Sequence, residues 1–160
     1  QTCALPILKF ATEPLAAPME ITGRVTVKLH ISSDAPDTDF TAKLLDIYPE
    51  GDSREILMLD SIQRVKLRKS FEQPAPLLSG PEEVVELSID LWSISWIFNA
   101  GHRIGLHISS SNFPRFEVNP NTGADNPEQA GDAMRPAHNR VHMGTARPSA
   151  VFLPVRPAMP

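Results

Sequence analysis

Apolar and polar residues alternate with a period of two along several short stretches of this chain, and no amphipathic helix of any length competes with them. Arg24–Ser32 is the clearest case: Val25, Val27, Leu29 and Ile31 alternate with Arg24, Thr26, Lys28 and His30. One face is buried and the other solvated, as in the sheets of an antiparallel sandwich. Ile104, Leu106 and Ile108 alternate with Gly105, His107 and Ser109 in the same way, which predicts a strand over Arg103–Ser109. Phe40–Tyr48 and Ile56–Leu59 flank the turn residues Pro49-Glu50-Gly51-Asp52 and read as a hairpin. Glu83–Leu91 places Val85, Leu87, Ile89 and Leu91 on one face, and Arg140–Thr145 and Ala150–Val155 supply two final strands.

The stretches between them are read less directly. Leu8–Met19 carries Pro14 and Pro18 and suits an extended edge segment, with a turn at Gly23. Ser61–Ser70 sets Arg64, Lys66, Arg68 and Lys69 against Ile62, Val65 and Leu67, the pattern of a basic edge strand. Pro74, Pro76 and Pro81 make Glu72–Pro81 a crossing loop. Trp92–Phe98 breaks the alternation and is expected to be a turn or short helix anchored by Trp92, Trp96 and Phe98. Eight or nine short strands joined by proline-rich loops predict an all-β fold, a β-sandwich of jelly-roll type.

One loop stands out. After the strand at Arg103–Ser109, Ser109-Ser110-Ser111-Asn112 ends the apolar pattern, and Phe113-Pro114-Arg115-Phe116 places two aromatics around a residue of fixed φ. Asn119-Pro120-Asn121-Thr122-Gly123 is dense in turn formers, and Asn119–Ala137 has no periodicity. Loops this long in compact domains are functional or disordered, and the aromatic-proline centre argues for order. Asn112, Phe113, Arg115, Asn119 and Asn121 suit a hydrogen-bonded corner that meets another domain.

Composition narrows the function. The chain has 160 residues, the size of one domain, and a net charge of −4, so it lacks the basic footprint of a nucleic-acid binder. No apolar run approaches the length that crosses a membrane. A single cysteine, Cys3, excludes an internal disulfide. Gln1–Ile7 matches, residue for residue, the translation of a common sequencing-adapter oligonucleotide. These residues are set apart from the domain at 8–160, and the expectation is that a catalytic part, with any signal peptide, belongs upstream.

Catalytic chemistry is not evident. There is no Gly-x-Ser-x-Gly elbow, and Gly51-Asp52-Ser53-Arg54 sits in the hairpin turn with no Asp-x-x-His partner downstream. His138 and His142 have helical ligand spacing but lie where a loop enters a strand. Asp34, Asp37 and Asp39 are the residues to watch for calcium, but three carboxylates fall short of its oxygen shell, and capping loop amides is their plainer role. His30, His102 and His107 show no base or orienting partner. Trp92 and Trp96 can stack on a sugar or anchor a core, and their apolar neighbours Ile94, Ile97 and Phe98 favour the core. No cofactor is expected.

Several strings together resemble a known family. Thr12-Glu13-Pro14-Leu15 followed by Glu20-Ile21-Thr22-Gly23, then LHISSDAPDTDFTAKLL at 29–45 and DIYPEG at 46–51, are similar to the opening of the C-terminal domain of X-Pro dipeptidyl-peptidases. Leu91-Trp92, FNAGHRI at 98–104, ISSSNFPRFEVNPNTG at 108–123 and PSAVFLP at 148–154 extend the resemblance. The wider group is the CocE/NonD serine hydrolases, which includes cocaine esterase, α-amino acid ester hydrolases and cephalosporin-type acylases. The resemblance implies a jelly-roll, galactose-binding-domain-like accessory domain. It would pack on an α/β-hydrolase domain that holds the Ser, Asp and His triad, shape its substrate cleft and support dimers. No triad motif lies in this sequence, so no catalytic residue is assigned. A free-standing carbohydrate-binding or oligomerisation module is the alternative.

Overall fold

A computed structural model describes residues 7–157; residues 1–6 and 158–160, including Cys3, lie outside the described residues. The described chain forms eight strands, all paired antiparallel: β1 (Leu8–Ala11), β2 (Met19–Ser33), β3 (Asp39–Ile47), β4 (Glu55–Arg64), β5 (Val85–Phe98), β6 (Arg103–Ser109), β7 (Asn139–His142) and β8 (Ala150–Phe152). One sheet has the order β1-β6-β3-β4. In the other, β5 pairs with one edge of β2, while β7 and β8 share its other edge along His30–Ser33 and Thr26–Lys28. The chain crosses repeatedly between the two layers, as the jelly-roll reading requires.

Period-two alternation builds the core. Ile21, Val25, Val27, Leu29 and Ile31 of β2 and Leu87, Ile89 and Leu91 of β5 turn inward from one sheet. Phe40, Ala42, Leu44, Ile104 and Ile108 meet them from the other. Burying such side chains is worth about 1.5–3 kcal/mol each, and sheet packing spends it on one shared interior. The sandwich is open along one side. There the β1/β6 and β7/β8 edges leave an apolar groove of about 320 Å³ lined by Phe10, Leu106, Val141, Met143, Val151 and Leu153, among others.

Trp92–Phe98 departs from expectation. It is neither turn nor helix but the second half of β5. Register on β2 runs Thr26↔Asp90 and then Arg24↔Ser93, so Leu91 and Trp92 together oppose Val25. This β-bulge inserts one residue, and the inward side changes from odd to even positions: Leu87, Ile89 and Leu91 before it, Ile94 and Phe98 after it. A broken alternation in the sequence is what such an insertion looks like. Nor do both tryptophans anchor the core. Trp92 is 67% exposed with φ at 69°, and Trp96 is 39% exposed.

Other segments also differ. Ser61–Arg64 completes β4, but Val65–Leu67 turns into one 3-10 turn, and both Val65 and Lys66 are buried rather than displayed on an edge. Gly23 lies inside β2 rather than at a turn; its φ is 138°, and a Cβ there would sit 3.1 Å from Pro154 Cβ. The long loop contains one α-helical turn, α1 (Pro127–Ala130), followed by a 3-10 turn at Gly131–Ala133, and the Gln129 amide donates to Asn126 Oδ1 at 2.9 Å.

Candidate functional site

The ends of β2, β4 and β6 and the starts of β3 and β7 meet at one end of the sandwich, as Asp39↔Arg64, Thr41↔Ser109 and Ser33↔Asn139 fix. The loop from β6 to β7 lies here, and buried polar side chains fasten it. Asn119 is the centre. It is 4% exposed, and its Nδ2 donates to Asp39 Oδ1 at 2.7 Å and Asp37 Oδ2 at 3.2 Å, while its Oδ1 accepts the Asn121 amide at 2.8 Å. Every hydrogen-bonding group of that carboxamide is therefore engaged, as burial demands.

The surrounding charges are matched. Arg64 donates through Nε to Asp39 Oδ1 at 2.9 Å and through Nη1 to the Asp125 carbonyl at 2.6 Å. Burial opposes the Arg64 charge, but the Asp39 bond and its field outweigh this and hold the guanidinium above its ordinary value. Lys66 reaches out from beneath the loop, with Nζ 2.8 Å from the Gly123 carbonyl and 2.5 Å from Asp125 Oδ1. That contact depresses the Asp125 carboxyl. Asp37 is different: burial pushes its carboxyl up, although the Lys66 amide at 2.8 Å and Asn119 pull the other way.

Nearer the loop's start, Asp60 of β4 holds two further residues. Asn112 Nδ2 donates to its Oδ2 at 2.7 Å, and Arg115 Nη1 lies 2.7 Å from its Oδ1. Phe113 between them is 71% exposed and points its ring at solvent from a braced base. Asn121 donates to the Arg135 carbonyl at 2.8 Å and has φ at 62°. The five loop residues singled out in the sequence therefore divide. Asn119 and Asn121 brace the loop from within, Asn112 and Arg115 tie its tip to Asp60, and Phe113 is left free.

The loop carboxylates do not converge as a cage. Asp34 turns away to His138, whose amide and Nδ1 contact its two oxygens at 2.8 and 2.7 Å; the amide bond is the main cause of its lowered carboxyl. Asp37 and Asp39 accept from Asn119, Lys66 and Arg64. Among the described residues no group of three or more His, Cys, Asp or Glu is placed to hold a metal ion.

Asp46 and His102 were not paired by the sequence reading, yet they form a buried pair at the opposite end, Nδ1 to Oδ1 at 2.7 Å. Trp96 Nε1 donates to the other oxygen at 3.3 Å, and the Tyr48 ring lies 4.4 Å from the imidazole. So His102 does have an orienting carboxylate. The signal was available: Asp46 follows Ala42 and Leu44 at the core-facing parity, and an inward carboxylate needs a partner. Asp60 and Lys66 had no comparable signal, because neither stands at a core-facing parity: Asp60 lies on a strand without a fully buried position, and the 3-10 turn rolls Lys66 inward.

The described residues thus form an all-β sandwich whose end loop is braced by buried polar side chains. The chain belongs to the X-Pro dipeptidyl-peptidase C-terminal non-catalytic domain family, whose model matches residues 6–152. Cocaine esterase of Rhodococcus sp. (strain MB1 Bresler) is 42% identical over 149 residues, 93% of this chain and 25% of the esterase. Among solved structures, an α-amino acid ester hydrolase matches with TM-score 0.86 at 33% identity over 94% of this chain and 25% of its own. An aminopeptidase from a marine sediment Thaumarchaeota archaeon matches with TM-score 0.87 at 30% identity over 94% of this chain and 26% of its own. The chain thus spans about a quarter of the length of these relatives.

Proposed function

We propose that this domain serves a serine hydrolase acting on esters or amides through an acyl-enzyme. It packs on the α/β-hydrolase domain of the same longer chain and forms one wall of its substrate cleft. The observation that carries this reading is the membership of a non-catalytic family whose relatives, named as an esterase, an ester hydrolase and an aminopeptidase, are about four times as long. Phe113 is the anchor of the contact. It is a large exposed aromatic on a loop whose base cannot move without breaking the Asn119 and Asp60 bonds, so little conformational entropy is lost when it docks. Arg115 adds a charged edge beside it. Paired Phe113→Ala and Arg115→Ala substitutions in the longer enzyme are expected to separate the unfolding of the two domains and to lower kcat/KM about tenfold, the size of a single lost anchor of about 1.4 kcal/mol. Calorimetry and ester turnover read the two effects; an unchanged single transition with full activity rejects the docking role.

A further inference from the structure

The bulge in β5 displays an unusual surface on the opposite side of the molecule's second sheet. Register places Asp90, Thr26 and Phe152 in one row across β5, β2 and β8, and paired residues share a face. That face is the outer one, because Val27 and Val151 in the adjoining row turn into the core. Phe152 is 54% exposed at one side of the row, and Trp92 is 67% exposed at the other. Two strand spacings separate the strands that carry them, roughly 10 Å.

Trp92 is held out by construction. Its φ of 69° is a conformation that aromatic residues rarely adopt. Asp90 stabilises it by accepting the Trp92 amide at 3.0 Å on the same carboxylate that binds the Arg24 guanidinium through two contacts. Arg24 in turn lies 5.9 Å from the indole centroid. Between the two aromatics the sheet surface is polar: Arg24, Thr26 and Asp90, with Ser93 beside them.

The arrangement inverts the anatomy of a protein interface, which has an apolar centre depleted in charge and a polar rim. Here the ion pair sits in the middle and the aromatics flank it. The charges on this face also cancel in pairs, Arg24 with Asp90, Lys28 with Glu86 and Arg156 with Glu20, so the surface complements a neutral ligand and not an anion. A saccharide has that chemistry. Its ring faces are apolar enough to lie on an aromatic, its edges carry hydroxyls that donate and accept, and it bears no charge.

We propose that the outer face of the β5–β2–β8 sheet binds a neutral oligosaccharide, with Trp92 and Phe152 as stacking residues and Arg24, Asp90 and Thr26 as the hydroxyl-binding floor. The site is independent of the end loop and of the docking role assigned to Phe113. It uses Trp92 but not Trp96, whose indole nitrogen is engaged by Asp46.

The chain itself tests this by electrophoresis through gels containing hydroxyethyl cellulose, xylan or galactomannan. Retardation is expected in at least one gel. Trp92→Gly and Phe152→Ala should each weaken it about tenfold, a loss of about 1.4 kcal/mol. Trp92→Gly suits that left-handed position and keeps the fold, and Trp96→Phe should retain the retardation. In Trp96→Phe the emission of Trp92 alone should shift on titration with the oligosaccharide of the retarding polymer. Free migration in all three gels, or retardation that survives Trp92→Gly, overturns the site. Shielding of Trp92 from acrylamide in a longer chain carrying this domain would mark the face as an internal interface and overturn it as well.

Discussion

Asn119 shows how much a single side chain can hold. It is polar, almost fully buried, and divides its donors between two aspartates while its oxygen caps the Asn121 amide. Asn119→Ala leaves two buried carboxylates short of a donor and is expected to cost about 3 kcal/mol, since hydrogen bonds to charged groups are worth about 1.5–3 kcal/mol each. Urea midpoints give the measurement, and Asn119→Asp should be worse than alanine at neutral pH because it adds a third negative charge beside two. The sequence marked Asn119 as a corner residue by its turn-rich surroundings. It did not show that Asp37 and Asp39, 82 and 80 residues away, are what the corner rests on. The same three loop aspartates considered for calcium turn out to receive donors, which a list of carboxylate spacings has no means of expressing.

At the level of elements, local alternation decided most of the fold. β2 and β6 were legible because apolar residues alternate along one face, and β3, which is buried on both faces, because a turn follows it; their boundaries differ from expectation mainly in β2, which begins at Met19. β5 was legible only up to Leu91, because the bulge changes its parity in mid-strand. Lys66 was misplaced for a related reason: the strand ends at Arg64 and the 3-10 turn rolls the lysine inward. In β6, Gly105 marks a close approach on the outer face. A Cβ there would lie 2.7 Å from Ile47 Cδ1 and 3.3 Å from Leu45 Cβ. The isoleucine end can rotate away, but the Leu45 Cβ is fixed to the β3 backbone. Gly105→Val should therefore destabilise by about 1–3 kcal/mol, while Gly105→Ala should cost less; an unfolding series of the two variants tests the ordering.

The whole molecule should respond to acid in two steps of the same sign. Burial, with Lys9 and Lys43 adding to it against Glu55, pushes the His107 imidazole below its ordinary value of 6.5. The folded state therefore resists protonation there, and stability falls as pH drops from about 6.5 towards the lower folded value. Asp34, Asp52, Asp90 and Asp125 are held below the usual 3.8 by partners in the fold, so what they contribute above that pH is lost as pH falls through their folded values. Asp37 acts in the opposite direction. Its carboxyl is raised by burial, so protonation relieves an unfavourable charge and offsets part of the lower step. Urea midpoints between pH 7 and pH 3 should show His107→Gln flattening the upper step and Asp37→Asn steepening the lower one. None of this was legible beforehand, because sign and size depend on which groups the sheets bring together.

The single inserted residue at Leu91-Trp92 has a consequence for how this strand can vary in length. Past the insertion, Ile94 and Phe98 pack inward while Ser93, Ser95 and Ile97 do not. Adding one residue between Trp92 and Phe98 would turn Phe98 out of the interior, whereas losing Ser93 would dissolve the bulge and leave Ile94 opposite Gly23 with the inward set unchanged. Two residues added or removed together would leave each side chain on its own side. Length variation here is thus asymmetric: a one-residue shortening beside the bulge spares the interior, while a one-residue lengthening needs a second bulge on the same strand.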